Sequence, residues 1–223
     1  MSFKGTFEPL NRRKMEIKER IIHGAGKLFF TRGIKGVTMD DIASEIGVSK
    51  RTIYENFNDK TQLLKATVDY FQQQQAAKLK RITEQAANVI EIILGILHHG
   101  LENIKVVNQL FLEDLKKFYP GIWDESVRKS RESTHETLQR LLERGKKEGF
   151  LRPDINCALV ARIFYEQITL IHDNDAFPVD EFSRKELFEN VVLNFGRGIS
   201  TPKGVEMLEK LLSDPDSWKI DMR

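Results

Sequence analysis

The stretch GVTMDDIASEIGVSKRTIYENFNDK, Gly36 to Lys60, decides the fold. Thr38 stands three residues before Asp41, the spacing at which a hydroxyl and a carboxylate cap each other's amides at a helix start. Ile42, Ala43 and Ile46 then fall on one helical face, and Gly47 ends the helix with a residue that accepts positive φ. Ser49 caps a second short helix whose inner face holds Ile53 and Phe57. Asn58-Asp59 breaks that helix, and Asp59 with Gln62 repeats the capping spacing for another. Two short helices meeting at Gly47-Val48-Ser49 make a helix-turn-helix. Lys50, Arg51, Thr52, Tyr54, Glu55 and Asn56 are left for the outer and flanking surfaces. Such a short, polar, basic surface suits the major groove: hydroxyls and amides meet phosphates, and longer donors reach base edges.

Helical periodicity continues on both sides. A helix over about Met15–Thr31 places Ile21, Ala25, Leu28 and Phe29 on one face. The helix opened by Asp59 carries Leu63, Leu64, Val68 and Phe71 to the Gln72–Gln75 run. Further helices are expected over about 84–103, 108–118, 122–149, 156–172, 183–197 and 203–212. The helix at 156–172 is apolar on several sides, which implies burial on more than one face. Gly149 reads as a C-cap, with Pro153 just beyond. No segment of useful length has strand periodicity. The expected fold class is all-α, with about nine helices.

Of the 223 residues, 40% are hydrophobic and 30% charged, enough apolar material for a real core. Net charge is +2, unevenly spread. Residues 1–65 hold 13 Lys and Arg against 8 Asp and Glu, and residues 66–223 hold 22 against 25. A basic head on an acidic body fits a polyanionic partner. Arg12, Arg13 and Lys14 close a basic arm at residues 1–14. The single cysteine, Cys157, excludes an internal disulfide. With no apolar leader at the amino end, it points to a reducing, cytoplasmic setting. The most apolar run, Val89–Leu97, is too short to span a bilayer and contains Glu91, so no membrane partner is expected.

The residues Gly36-Val37-Thr38, Asp41-Ile42-Ala43, Gly47-Val48-Ser49, Thr52, Tyr54, Phe57 and Lys60, with a basic helix before them, closely resemble the signature of TetR-family transcription regulators. The resemblance covers about Arg20 to Leu64. It implies a helix-turn-helix DNA-binding domain over 15–62 and a helical effector-binding and dimerisation domain over 63–223. It also implies roles for single residues. Thr38 contacts phosphate. Ser49, Lys50, Arg51 and Thr52 face the groove, with Arg51 and Thr52 reading bases. Tyr54 donates to a phosphate, and Lys60 binds phosphate at a helix start. Asn56 stands where the family often has an aromatic or histidine. Glu55 must accept from a cytosine, point away, or repel phosphate. The implied assembly is a homodimer held by helices 156–172 and 183–197, binding a palindromic site in double-stranded DNA, probed by a small-molecule effector and acting as a repressor.

Other constellations carry less. Gly24-Ala-Gly26-Lys27 lacks phosphate-loop spacing and lies inside a helix. His98 and His99 are adjacent and point to different faces. His135 with Glu132 and Glu136 is a helix face. His172-Asp173-Asn174-Asp175 has two readings, a cation site or a solvated helix end. No spacing supports a catalytic set, a metal site or a cofactor. Cys157 is either a buried inert thiol or a helix-start thiol of lowered pKa. Phe111, Phe118, Tyr119, Trp123, Phe164 and Tyr165, from three helices, are either plain core or the wall of an effector pocket. Two further functions stay open: a helical adaptor whose head binds protein, and an enzyme with a DNA-binding appendage.

Overall fold

The structure is a computed structural model that describes residues 16–106, 108–171 and 173–214. The basic arm at 1–14 and His172 therefore lie outside the described residues. Ten helices form among the described residues, one more than the count of about nine: α1 (Ile17–Arg32), α2 (Met39–Ile46), α3 (Lys50–Asn56), α4 (Lys60–Gln85), α5 (Val89–Val106), α6 (Gln109–Phe118), α7 (Pro120–Lys147), α8 (Cys157–Leu170), α9 (Arg184–Ile199) and α10 (Pro202–Ser213). No strand forms among them. The one β-type pairing is an isolated bridge between Leu151 and Ser200.

Local chemistry sets most of the boundaries. Asn108, Asn156, Ser183 and Thr201 each cap a helix by accepting from an amide of its first turn. Pro120 and Pro202 stand first in their helices, where the missing N–H costs nothing. α7 therefore starts at Pro120 rather than near Ile122. α4 runs ten residues past the glutamine run, to Gln85, because glutamine, lysine and alanine are sound helix formers and nothing breaks the helix there.

The chain forms two compact units. One comprises the chain as far as Gln75 with Glu102–Arg128; the other comprises Ala76–Leu101 and the chain from Lys129 on. In sequence, α4, α5 and α7 each begin in one unit and end in the other. The division does not follow a single cut in the chain, since α6 and the start of α7 join the helix-turn-helix.

The first unit is built on one apolar cluster. Ile21, Leu28 and Phe29 of α1, Ile42 of α2, Ile53 of α3 and Leu63 and Leu64 of α4 are all essentially buried, and α6 adds Phe111 and Leu115. In α3 only Ile53 is buried, so one residue anchors the helix and its other positions stay available. Burying such a side chain contributes about 1.5–3 kcal/mol.

In the second unit, an ion pair ties three helices. Arg144 Nε donates to Glu148 Oε1 at 2.6 Å, its Nη1 reaches the Thr83 carbonyl at 3.2 Å, and its Nη2 reaches Ala86 and Ala87 at 3.1 Å. Glu148 accepts from the Val89 amide at 2.8 Å through its other oxygen. One pair, Arg144 in the last turn of α7 and Glu148 just beyond it, thus satisfies carbonyls at the end of α4 and an amide at the start of α5, groups that helix ends leave without intrahelical partners. Arg144→Ala is expected to lower stability by about 1–3 kcal/mol in a urea melt, since it strands those carbonyls. Arg144→Lys should recover little, because an ammonium lacks the planar fork.

Candidate functional site

The turn between α2 and α3 has the geometry its residues dictate. Gly47 lies in the left-handed region at φ 70° and ψ 45°, and the Gly47 and Val48 amides both donate to the Ala43 carbonyl, at 3.0 and 3.1 Å. At the start of α2 the capping box is complete. The Asp41 amide donates to Thr38 Oγ1 at 3.1 Å, and the Thr38 amide donates to Asp41 Oδ2 at 2.7 Å. The Thr38 hydroxyl also donates to that carboxylate, at 2.6 Å. These bonds hold the Asp41 carboxyl below its usual range, the Thr38 side chain contributing most. The box therefore stabilises the head fully above the ordinary aspartate pKa of about 3.9. That contribution is lost as pH falls through the lowered value.

The α3 face is exposed, and its cations are already engaged. Arg51 Nε donates to Glu55 Oε1 at 2.9 Å, one turn along the helix. Glu55 therefore neutralises and orients Arg51. Lys50 Nζ reaches Asp40 Oδ2 at 2.7 Å, a bond that raises the lysine's pKa. Ser49 Oγ caps α3 by accepting from the Thr52 amide at 3.0 Å and lies 2.9 Å from Thr52 Oγ1. Asn56 Nδ2 turns back to the Thr52 carbonyl at 2.9 Å. Tyr54 stands 46% exposed beside this set. Seven of the eight residues thus lie on α3 or at the caps that open α2 and α3: Thr38 and Ser49 are the caps, and Lys50, Arg51, Thr52, Tyr54 and Asn56 belong to α3.

Lys60 differs. It is half-buried, its ammonium donates to the Ile34 carbonyl at 2.6 Å, and it lies over the Phe29 ring at 5.9 Å. Burial pushes its pKa down, against the pull of Asp114 and Asp41. Lys60 therefore braces the α1–α2 connector from the start of α4. The residue that completes the brace carries no local signal in the chain. Asp114 of α6 accepts from the Ile34 and Lys35 amides through one oxygen, at 2.8 and 2.7 Å. Asn108 adds a bond from its amide to the Phe30 carbonyl at 2.8 Å and one from its side chain to Thr31 at 3.1 Å.

The aromatic set is divided between the units. Phe111 is buried in the head core and packs edge-on against Phe30, with Tyr119 and Trp123 against the same cluster. Phe118 is 45% exposed. In the other unit, Phe164 packs on Phe195, and Tyr165 is buried against His135. The first unit needs α6 to close its core, and Phe111 is the residue that α6 supplies to it. A small apolar cavity of about 40 Å³ does lie in the second unit, with Phe164 in its wall. Its remaining lining is aliphatic apart from Phe195 and comes from α5, α7, α8 and α9, including Ile92, Ile96, Leu141 and Val192. A larger depression of about 730 Å³ runs open along charged and amide side chains of α7 and Glu148 just beyond it, which is not the concave apolar form of a ligand site.

Cys157 is buried, and burial, with Glu143 beside it, pushes its thiol pKa up, opposite to the lowered value that a reactive helix-start thiol needs. Gly24 lies inside α1, where the Ile46 side chain packs directly against it. Among the described residues no group of three or more His, Cys, Asp or Glu could hold a metal ion, and no helix is long and apolar enough to cross a membrane.

Residues 21–67 match the family model described as bacterial regulatory proteins of the tetR family. The HTH-type transcriptional regulator YvaF of Bacillus subtilis is 27% identical over 187 residues, covering 82% of this chain and 95% of that protein. The HTH-type transcriptional repressor KstR2 of Mycolicibacterium smegmatis is 22% identical over 148 residues, covering 65% of this chain and 72% of that one. Among solved structures, a TetR-family regulator from Agrobacterium tumefaciens superposes with a TM-score of 0.66 at 18% identity, over 82% of this chain and 97% of that one.

Asp114→Ala removes the acceptor for two connector amides and should destabilise the head by about 1–3 kcal/mol in thermal or urea melts. Asp114→Asn, which keeps a carbonyl oxygen at the same place, should retain most of that stability. Equal losses in the two variants would refute the role given to the two amide bonds.

Proposed function

The chain belongs to the TetR family and is a DNA-binding transcriptional regulator, and we propose that it represses transcription from a palindromic operator as a homodimer released by a small apolar effector. The observation that carries the DNA reading is the α3 face. It is anchored by Ile53 alone, opened by the Ser49 cap, and leaves Arg51, Lys50 and Tyr54 outward. Arg51 exchanges Glu55 for a base edge, and Lys50 exchanges Asp40 for phosphate. Thr38 and Tyr54 add phosphate contacts. Lys60 contributes chiefly by holding the connector, and its charge reinforces the positive start of α4.

The homodimer reading draws support from α8. Leu159, Ile163 and Leu170 are each close to half exposed on a helix whose other face is buried. An apolar face of this kind is what a second copy, related by two-fold symmetry, would cover, with α9 completing a four-helix bundle. Two-fold symmetry in turn favours a palindromic site with half-sites about 34–36 Å apart.

The effector reading draws support from the aliphatic cavity of the second unit. At about 40 Å³ it has room for little more than a water molecule. A ligand of effector size enters by parting α5, α7, α8 and α9, so occupancy and helix packing are linked. By reciprocity, an effector that weakens DNA binding binds less tightly to the DNA complex, by a coupling of about 1–3 kcal/mol. The regulator works in the cytoplasm, where operator and effector meet.

Selection of bound sites from a random duplex pool, followed by titration at several salt concentrations, tests this function. One enriched palindrome, with affinity falling steeply as salt rises, is the expected result. No enriched site and a flat salt response would refute it in favour of a protein-binding head. Arg51→Ala should relax preference at one base position and lose about 1–3 kcal/mol. Lys60→Ala should weaken binding to all sequences alike.

A further inference from the structure

A second basic feature of the first unit lies outside the helix-turn-helix. Phe118, the last residue of α6, exposes its ring to solvent. The Lys35 ammonium lies 5.2 Å from the centre of that ring and the Lys117 ammonium 5.4 Å from it. The two positive charges are thus no farther apart than the sum of those distances. Among the described residues neither lysine has a carboxylate within ion-pair distance, whereas Lys27, Lys50, Arg51 and Lys65 each have one. The nearest acid by backbone connection, Asp114, is occupied by the Ile34 and Lys35 amides.

The position of Lys35 gives this pair its meaning. The connector that carries it is held at Ile34 by Lys60, at the start of α4, and ends three residues on at Thr38, the cap of α2. Three residues span at most about 11 Å. Lys35 therefore stands between two helix starts that the DNA reading places against phosphates. Two like charges gathered over one ring are each attracted by the aromatic face, yet repel one another. Backbone phosphates set beside the two charges relieve that repulsion.

We propose that Lys35 and Lys117, mounted on Phe118, form an accessory contact to the DNA phosphate backbone beside the helix-turn-helix. Through it α6 touches the operator strand directly. The contact carries no base information, so it adds affinity and salt dependence but not specificity. The inference rests on the DNA reading above.

The test is the slope of log affinity against log salt, measured with a labelled duplex bearing the selected operator. The Lys35→Gln/Lys117→Gln double variant should show a slope smaller by about 1.8 per bound protomer, at about 0.9 for each phosphate no longer neutralised. Competition by base-substituted duplexes should rank as for the wild type, and the thermal midpoint should be unchanged. Lys35→Arg/Lys117→Arg should keep the wild-type slope, as should Lys185→Gln, which removes one exposed lysine from the other unit. If the double glutamine variant folds poorly, each single variant should lose about 0.9. Wild-type slopes in the glutamine variants would overturn the accessory contact and leave the DNA reading intact. A wild-type chain that binds no duplex would overturn both.

Discussion

The carboxylate of Asp114 accepts hydrogen bonds from two successive amides, those of Ile34 and Lys35, in a connector that has no secondary structure to satisfy them. Lys60 closes the same connector from the opposite polarity by donating to the Ile34 carbonyl. These bonds fix the short segment between α1 and α2. That segment in turn sets where Thr38 begins α2, and α2 sets where Gly47 turns the chain into α3. The placement of α3 depends on this brace, because α3 buries one side chain and is too short to hold its own position. Buried or half-buried backbone groups left without partners are costly, so the brace is an energetic requirement of the connector as well as a positional device.

The brace also explains why α6 belongs with the head. Asn108 bonds the end of α1, Asp114 bonds the connector, and Phe111 and Leu115 fill the apolar cluster between them. Any change in the placement of α6 reaches the connector through short, directional bonds rather than through diffuse packing. In the second unit the Arg144–Glu148 pair plays a comparable part. One guanidinium and one carboxylate serve the end of α4 and the start of α5 together. In both places a charged side chain from a distant helix satisfies main-chain groups that their own helices leave open.

On the recognition face, the cations are held ready. Arg51 rests on Glu55 and Lys50 on Asp40, all four side chains well exposed. Exposed pairs of this kind are worth little, about 0–1 kcal/mol, so under the proposed function a phosphate or a base edge would displace the carboxylate at small cost. Glu55, awkward beside a polyanion when considered alone, acquires a purpose as the partner that keeps Arg51 extended along the helix. Lys35 and Lys117 lack such partners and share an aromatic support instead.

The sequence alone determined the features written in neighbouring residues. Thr38 and Asp41 announced the capping box, Gly47 the left-handed turn, Ser49 the cap of α3, and Ile53 and Phe57 its inner face. Each depends on contacts within about one turn of helix, so spacing suffices to find it. The all-helical class followed from periodicity in the same way. The tertiary structure alone decided the matters that rest on long separations in sequence. Asp114 meets the connector from 80 residues away, and Arg144 meets Thr83 from 61. Phe111 and Phe164, both aromatic and both on amphipathic helices, part into different units because the head core needs one and the second unit the other. The residue type was legible in each case. The partner was not, because long-range contacts are selected by how whole helices pack, and no local pattern in the chain records that choice.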